Sequence, residues 1–197
     1  MAQATASAGK TVQTILRGLG WLMLPAWPLL VWVSFTHPHI RWLLPLLALI
    51  FVLRMLTLWG QKGVMGQTAM VLALAGVMLC SASLALRDLH LLLWYPVAVN
   101  AVMLVLFGGS LLTAMPLVER LARLREPDLP QRAVVYVRRV TQIWCLFFII
   151  NGGIALATCL AGSLYWWTVW NGMLSYLLMG SLMAGEWWVR RRLRAAL

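Results

Sequence analysis

An all-α, polytopic membrane bundle of about six transmembrane helices is the fold this sequence predicts, on three observations. Hydrophobic residues make up 62% of the 197 and charged residues only 11%, against roughly 25% charged in a soluble domain. The apolar residues gather in six runs, about 19–36, 42–59, 64–86, 91–113, 140–161 and 164–189. Each approaches the ~20 residues a helix needs to cross a ~30 Å hydrocarbon core. The basic residues, finally, fall almost entirely in alternate connections between those runs. A soluble enzyme, a disordered tail, a collagen-like rod and a disulfide-stapled secreted domain are excluded by these figures.

Taken in order, residues 1–18 form an expected cytoplasmic tail, small and polar at first and then carrying Lys10 and Arg17. The apolar stretch after it contains Pro25, Trp27 and Pro28, and no A-x-A-like site follows. No cleavable signal peptide is therefore expected, and 19–36 reads as the first span. Pro45 interrupts the second run, a kink that neighbouring helices must tolerate. Arg54, within that run, either snorkels to the cytoplasmic interface or holds an anionic headgroup. The connections are short except for the cytoplasmic loop 114–139. There Pro116 can start a helix, and Leu117, Leu121 and Leu124 follow at helical spacing with Val118 beside them. Glu119, Arg120, Arg123 and Arg125 fall mainly on the other side, so a short amphipathic helix on the inner leaflet is expected. Glu126-Pro127-Asp128-Leu129-Pro130 then makes a turn before a second helical start. The chain reads as one transmembrane domain, 19–189, closed by a basic cytoplasmic tail, 190–197.

With the N-terminus inside, the cytoplasmic cations are Lys10, Arg17, Arg54 and Lys62. The loop adds Arg120, Arg123, Arg125, Arg132, Arg138 and Arg139, and the tail adds Arg190, Arg191, Arg192 and Arg194. Only Arg41 and Arg87 fall outside. This is a strong positive-inside bias, and it places both termini in the cytoplasm of an inner-membrane protein. An odd number of spans would split the two richest clusters across the membrane. Tryptophan gives a second check. Trp21, Trp59, Trp144, Trp187 and Trp188 fall at expected cytoplasmic ends, and Trp42, Trp94, Trp166 and Trp167 at outer ends. Indole favours that boundary, where its ring is apolar and its N–H stays wet. Trp27, Trp32 and Trp170 lie deeper and read as packing residues.

The net charge of +11 would suggest nucleic acid in a soluble protein. Here the cations orient the chain and meet anionic lipid heads, so membrane lipids are the expected partners and nucleic acid is not. Arg120, Arg123, Arg190, Arg191 and Arg192 are the candidate contacts for headgroups or a cytoplasmic partner. Cys80, Cys145 and Cys159 sit inside apolar runs without metal-ligand spacing and read as small buried side chains. His37, His39 and His90 all fall in the two expected outer loops, with Asp88 beside His90. They are weak candidates for a metal site or for acid–base chemistry, and histidines with no ligand are the plainer reading. Glu186 has Arg190 one turn on, at the i,i+4 spacing that pairs at the inner boundary. The alternative is a Glu186 facing the bundle interior as a proton or headgroup site. Asn100, Asn151 and Asn171, with Ser175 one turn past Asn171, should face other helices, because an amide in hydrocarbon needs partners. They serve helix packing or line a polar pocket between the fifth and sixth helices. Gly180 with Ala184 and Ser181 with Gly185 make small-x-x-x-small pairs that permit close helix approach, a homodimer included. No phosphate-cradling loop, acyltransferase motif, zinc-protease motif or nucleophile elbow occurs, so no cofactor and no catalytic residue is expected.

Two stretches carry a resemblance. One runs from Leu117-Val118-Glu119-Arg120 through Leu129-Pro130 to Ile143-Trp144-Cys145-Leu146-Phe147-Phe148-Ile149-Ile150-Asn151-Gly152. The other runs from Trp170-Asn171-Gly172 to Gly185-Glu186-Trp187-Trp188-Val189-Arg190-Arg191. Together they resemble the small bacterial inner-membrane proteins encoded among aryl-polyene and related fatty-acid-synthase-like gene clusters. More distantly, residues 105–192 are similar to intracellular septation protein A. The resemblance implies an accessory protein of a membrane-associated lipid pathway, with pathway enzymes as partners at the cytoplasmic face. It brings no catalytic residues to carry over. The competing expectations are a small carrier or flippase for a lipid-linked product, a cell-envelope or septation maintenance protein, and a membrane enzyme using the outer-loop histidines.

Overall fold

The computed structural model of the chain describes residues 27–37, 43–59, 63–124 and 126–195. The expected tail 1–18, the start of the first expected span (19–26), His39, Arg41, Trp42, Lys62 and Arg125 lie outside the described residues. Among the described residues all the regular elements are helical: α1 (Trp27–Thr36), α2 (Leu43–Leu58), α3 (Val64–Leu86), a 3₁₀ turn (Leu89–Trp94) and α4 (Tyr95–Leu111). The short α5 (Leu117–Arg123) and the long α6 (Gln131–Leu160) follow. Finally α7 (Leu164–Val169), a π-helical turn (Trp170–Leu174) and α8 (Ser175–Ala195) run on without a break.

Local chemistry sets these boundaries. Arg87 closes α3 in the left-handed conformation, φ 55°, its N–H donating to the Ser83 carbonyl. A non-glycine there costs roughly 1–2 kcal/mol. Pro96 stands in the first turn of α4, where its missing N–H would have no helical partner in any case. Pro116 and Pro130 immediately precede α5 and α6. The 126–130 turn therefore starts a helix at residue 131, as the sequence pattern suggests. Gly162, φ 66°, ends α6, and the Ser163 side chain caps α7.

Among the described residues, three helices are long and apolar enough to cross a membrane: Gly66–Leu86, Leu89–Leu111 and Gln131–Leu160. Trp27–Thr36 and Leu44–Leu58 are apolar but shorter. At 1.5 Å per residue, α6 with its 30 residues is about 45 Å long. It overshoots a ~30 Å core by several turns, and its first turns carry Arg132, Arg138 and Arg139. The last helix passes through the π turn without stopping and ends in a run of arginines.

The largest contacts are α4 on α6 and α2 on α3. Gly76 makes the second possible, because any Cβ there would lie 2.6 Å from the Phe51 ring. Trp27, Phe51 and Tyr95 meet edge-on or tilted, with centroids 4.6 to 5.5 Å apart, and Leu92, Leu93 and Trp167 complete this core. A second aromatic group, Phe107, Trp144, Phe147 and Phe148, joins α4 to α6. Outside the core, Met78, Val105, Leu146, Ile149 and Ile150 are all exposed on the helices long enough to span. Such an apolar rind suits a lipid solvent and would be costly in water.

Candidate functional site

Three groups of polar residues sit on this scaffold: one inside the bundle and one at each end. The interior group is a hydrogen-bonded chain across three elements. The Trp170 indole N–H, on the π turn, donates to Asn151 Oδ1 at 3.1 Å. Asn151 Nδ2 donates to Asn100 Oδ1 at 3.0 Å, and Asn100 Nδ2 to the Pro96 carbonyl at 2.8 Å. Both asparagines are buried. Gly152 lets α4 and α6 approach here, since a Cβ in its place would lie 2.9 Å from Asn100 Cβ. Asn171 and Ser175 do not join the chain. They bond back along their own helix, to the Trp167 carbonyl at 2.9 Å and the Asn171 carbonyl at 3.4 Å. Of the four polar candidates of the last two helices, Asn151 alone bonds through its side chain to elements beyond its own helix. Asn151 is shut in by protein, and Glu186 lies far along α8.

Trp167, which the sequence places at an outer membrane boundary, is fully buried instead. Its indole donates to the Leu93 carbonyl at 3.0 Å, fastening α7 to the 3₁₀ turn. Trp144 is half-buried among phenylalanines, and Trp32, expected to pack, is exposed. Aromatic identity signalled an interface, and only the fold shows which face of each helix looks outward.

At the histidine end, Asp88 caps the 3₁₀ turn. Its Oδ1 accepts from the His90 backbone N–H and from His90 Nδ1, each at 2.9 Å. These bonds, the backbone one foremost, hold the Asp88 carboxyl below its ordinary range. Phe35, at the end of α1, lies edge-on to His90 with centroids 5.4 Å apart. His37 Nδ1 is 2.9 Å from Thr36 Oγ1. The two expected outer loops are therefore neighbours. Among the described residues no group of three or more His, Cys, Asp or Glu could hold a metal.

The opposite, basic end is built from α5, the start of α6 and the end of α8. Ser110 Oγ accepts from the Leu117 N–H at 2.9 Å, so α5 folds back on the helix before it. Arg120 donates to the Met115 carbonyl at 2.9 Å and to Thr113 Oγ1 at 3.2 Å. Arg123 pairs with Glu119 at 2.8 Å and also donates to the Pro127 carbonyl. A short helix forms where the sequence expects one. Leu117 and Glu119 are buried, whereas Leu124 is exposed. Its partner Arg123 lets the carboxylate go under, where pattern alone puts it in solvent. Arg138 donates to the Leu111 carbonyl at 3.2 Å, tying α6 to the end of α4. On α8, Glu186 accepts from Arg190 at 3.2 Å, and the Tyr136 hydroxyl donates to the Glu186 carbonyl at 3.3 Å. Arg191 and Arg192 stack instead on indoles, 5.4 Å above Trp187 and 3.6 Å above Trp188. That W-x-x-x-R spacing was visible in the sequence as an i,i+4 pair, twice over.

An apolar groove of about 330 Å³ lies between α3 and α4, lined by Ala75, Met78, Leu79, Trp94, Val97, Ala98 and Ala101. No family model, curated protein or solved structure matches the chain.

Proposed function

We propose that this chain is a multi-pass accessory protein of the bacterial inner membrane, serving a membrane-associated lipid pathway of the aryl-polyene type without itself catalysing a step. In this reading six spans place both termini and the basic end in the cytoplasm. That end meets membrane lipid and the pathway's enzymes. The observation that supports it is a division of labour among polar groups. Asn100, Asn151 and Trp170 are used up on one another inside the bundle, and Glu186 is held by Arg190. The arginines collect at one end, where a partner or a headgroup can reach them. The resemblance of 117–152 and 170–191 to proteins of such gene clusters supports the same assignment.

A carrier for a lipid-linked product is the second reading, and the apolar lining and roughly 330 Å³ of the α3–α4 groove favour it as a place for part of an acyl chain. Deletion of the protein separates the two. Loss of the lipid product is the expected result, and accumulation of finished product in the inner membrane would favour the carrier. Unchanged product in both membranes overturns both.

A further inference from the structure

We propose that the end of α8 is a docking surface for the phosphate of an anionic membrane phospholipid, formed by Trp187, Trp188, Arg191 and Arg192. The inference rests on the inner-face reading above and narrows it from five arginines to two. Arg120, Arg123 and Arg190 are already spent within the protein, on backbone carbonyls, a hydroxyl and two carboxylates. Arg191 and Arg192 have no carboxylate against them among the described residues. Their guanidinium groups lie on indole faces.

A guanidinium over a ring face, as close as the 3.6 Å of Arg192, meets the ring through charge and contact and has N–H groups left to donate elsewhere. Those groups match two oxygens of a phosphodiester at once. The indole also holds the long side chain in place, so less freedom is lost when an anion arrives. At 100° per residue, positions 187, 188, 191 and 192 share one arc of about 140° on the helix. Glu186 and Arg190 lie on the flank beside it, where they neutralise each other and the Tyr136 bond turns them toward α6. Among the described side chains, the face with Trp187, Trp188, Arg191 and Arg192 therefore carries positive charge and no negative charge. Its indoles are 56% and 51% exposed, a large apolar area next to unpaired charge. Water suits that combination badly, and the headgroup layer, apolar on one side and anionic on the other, suits it well. A second copy of the chain is a poor occupant, because it would bring four guanidinium groups together.

The test uses the full-length protein in a neutral detergent and compares bound phosphatidylglycerol with phosphatidylcholine by native mass spectrometry. The wild type should retain phosphatidylglycerol about tenfold more strongly at low salt, and the preference should shrink as salt rises. R191Q/R192Q should reduce it to within about twofold, while R120Q leaves it intact. R191K/R192K, which keeps the charge and loses the planar fork, should fall between. An unchanged thermal melting profile shows that the variants are folded, and W187L/W188L should weaken retention by a second route. Equal retention of the two lipids by the wild type overturns the proposal, as does a preference that survives R191Q/R192Q. Displacement of the lipid by inorganic phosphate at millimolar concentration also overturns it, since the site would then take a free anion. So does a dimer that R191Q/R192Q dissolves, which would make this face a protein contact. None of these readings depends on the pathway, so lipid preference can stand or fall apart from the deletion phenotype.

Discussion

The middle of the bundle and its basic end use the same kinds of side chain to opposite effect. In the middle, Trp167 and Trp170 turn their indole N–H groups onto Leu93 and Asn151, and the asparagines complete each other's hydrogen bonds. At the basic end, Trp187 and Trp188 lie open, with arginines stacked on them. The difference comes from what surrounds each group. Hydrocarbon and packed side chains offer no replacement for a lost hydrogen bond, which favours pairing within the protein, although the buried Trp27 indole N–H and the Ser83 and Thr168 hydroxyls go without a partner. The headgroup layer supplies water, phosphate and apolar depth together, so polar and aromatic groups there can face outward without a protein partner.

The largest effect should come from the tryptophans themselves. Trp167→Ala removes a fully buried ring and its bond to Leu93, and should cost about 3–5 kcal/mol in detergent-solubilised unfolding. Trp187→Ala, made the same way on an exposed ring, should stay within about 0.5 kcal/mol. Comparable losses for the two would erase the distinction between the regions. Asn151→Leu should come next, at about 2 kcal/mol, because it strands the Trp170 N–H and the Asn100 oxygen in the interior. Adding Asn100→Leu should cost less than the sum of the single changes, since the asparagines are each other's partners. Strict additivity, measured by the same unfolding assay, would show that the bond between them is not what holds α4 to α6. The smallest effect belongs to the exposed Asp88 cap. Its folded-state pKa is depressed, so its contribution is complete above the ordinary carboxylate range near pH 4 and fades as pH falls through the lower folded value. Melting curves of the wild type and Asp88→Asn should therefore differ at neutral pH and converge in acid. A gap that persists in acid would mean that Asp88 acts through something other than its charge.

Much of the local structure was legible without coordinates. Pro116, Pro130 and the turn before the latter mark helix starts because a proline's fixed φ and missing N–H suit the residue just ahead of a helix, and it disfavours a helical residue before it. The Glu186–Arg190 pair follows from spacing alone. The bond from Asn151 to Asn100 does not, because its partners are 51 residues apart and several asparagines offered themselves. The burial of Glu119 was equally hidden. It depends on α5 folding back through Ser110 and on Arg123 meeting the carboxylate as it goes under. The π turn at 170–174 left no signal in composition, although it sets where the Trp170 indole points.

By itself the sequence determined the class of molecule: helical, apolar, and basic in alternate connections. Hydropathy and charge are summed properties of short segments, and a segment's preference between water and lipid needs no knowledge of its neighbours. Tertiary structure decided which polar groups would be spent inside and which left for a partner. That choice depends on which helix faces which, and on distances that spacing along the chain does not encode. Arg191 and Arg192 are left for such a partner, whereas Arg120, Arg123, Arg138 and Arg190 are bonded to backbone carbonyls, a hydroxyl and the carboxylates of Glu119 and Glu186.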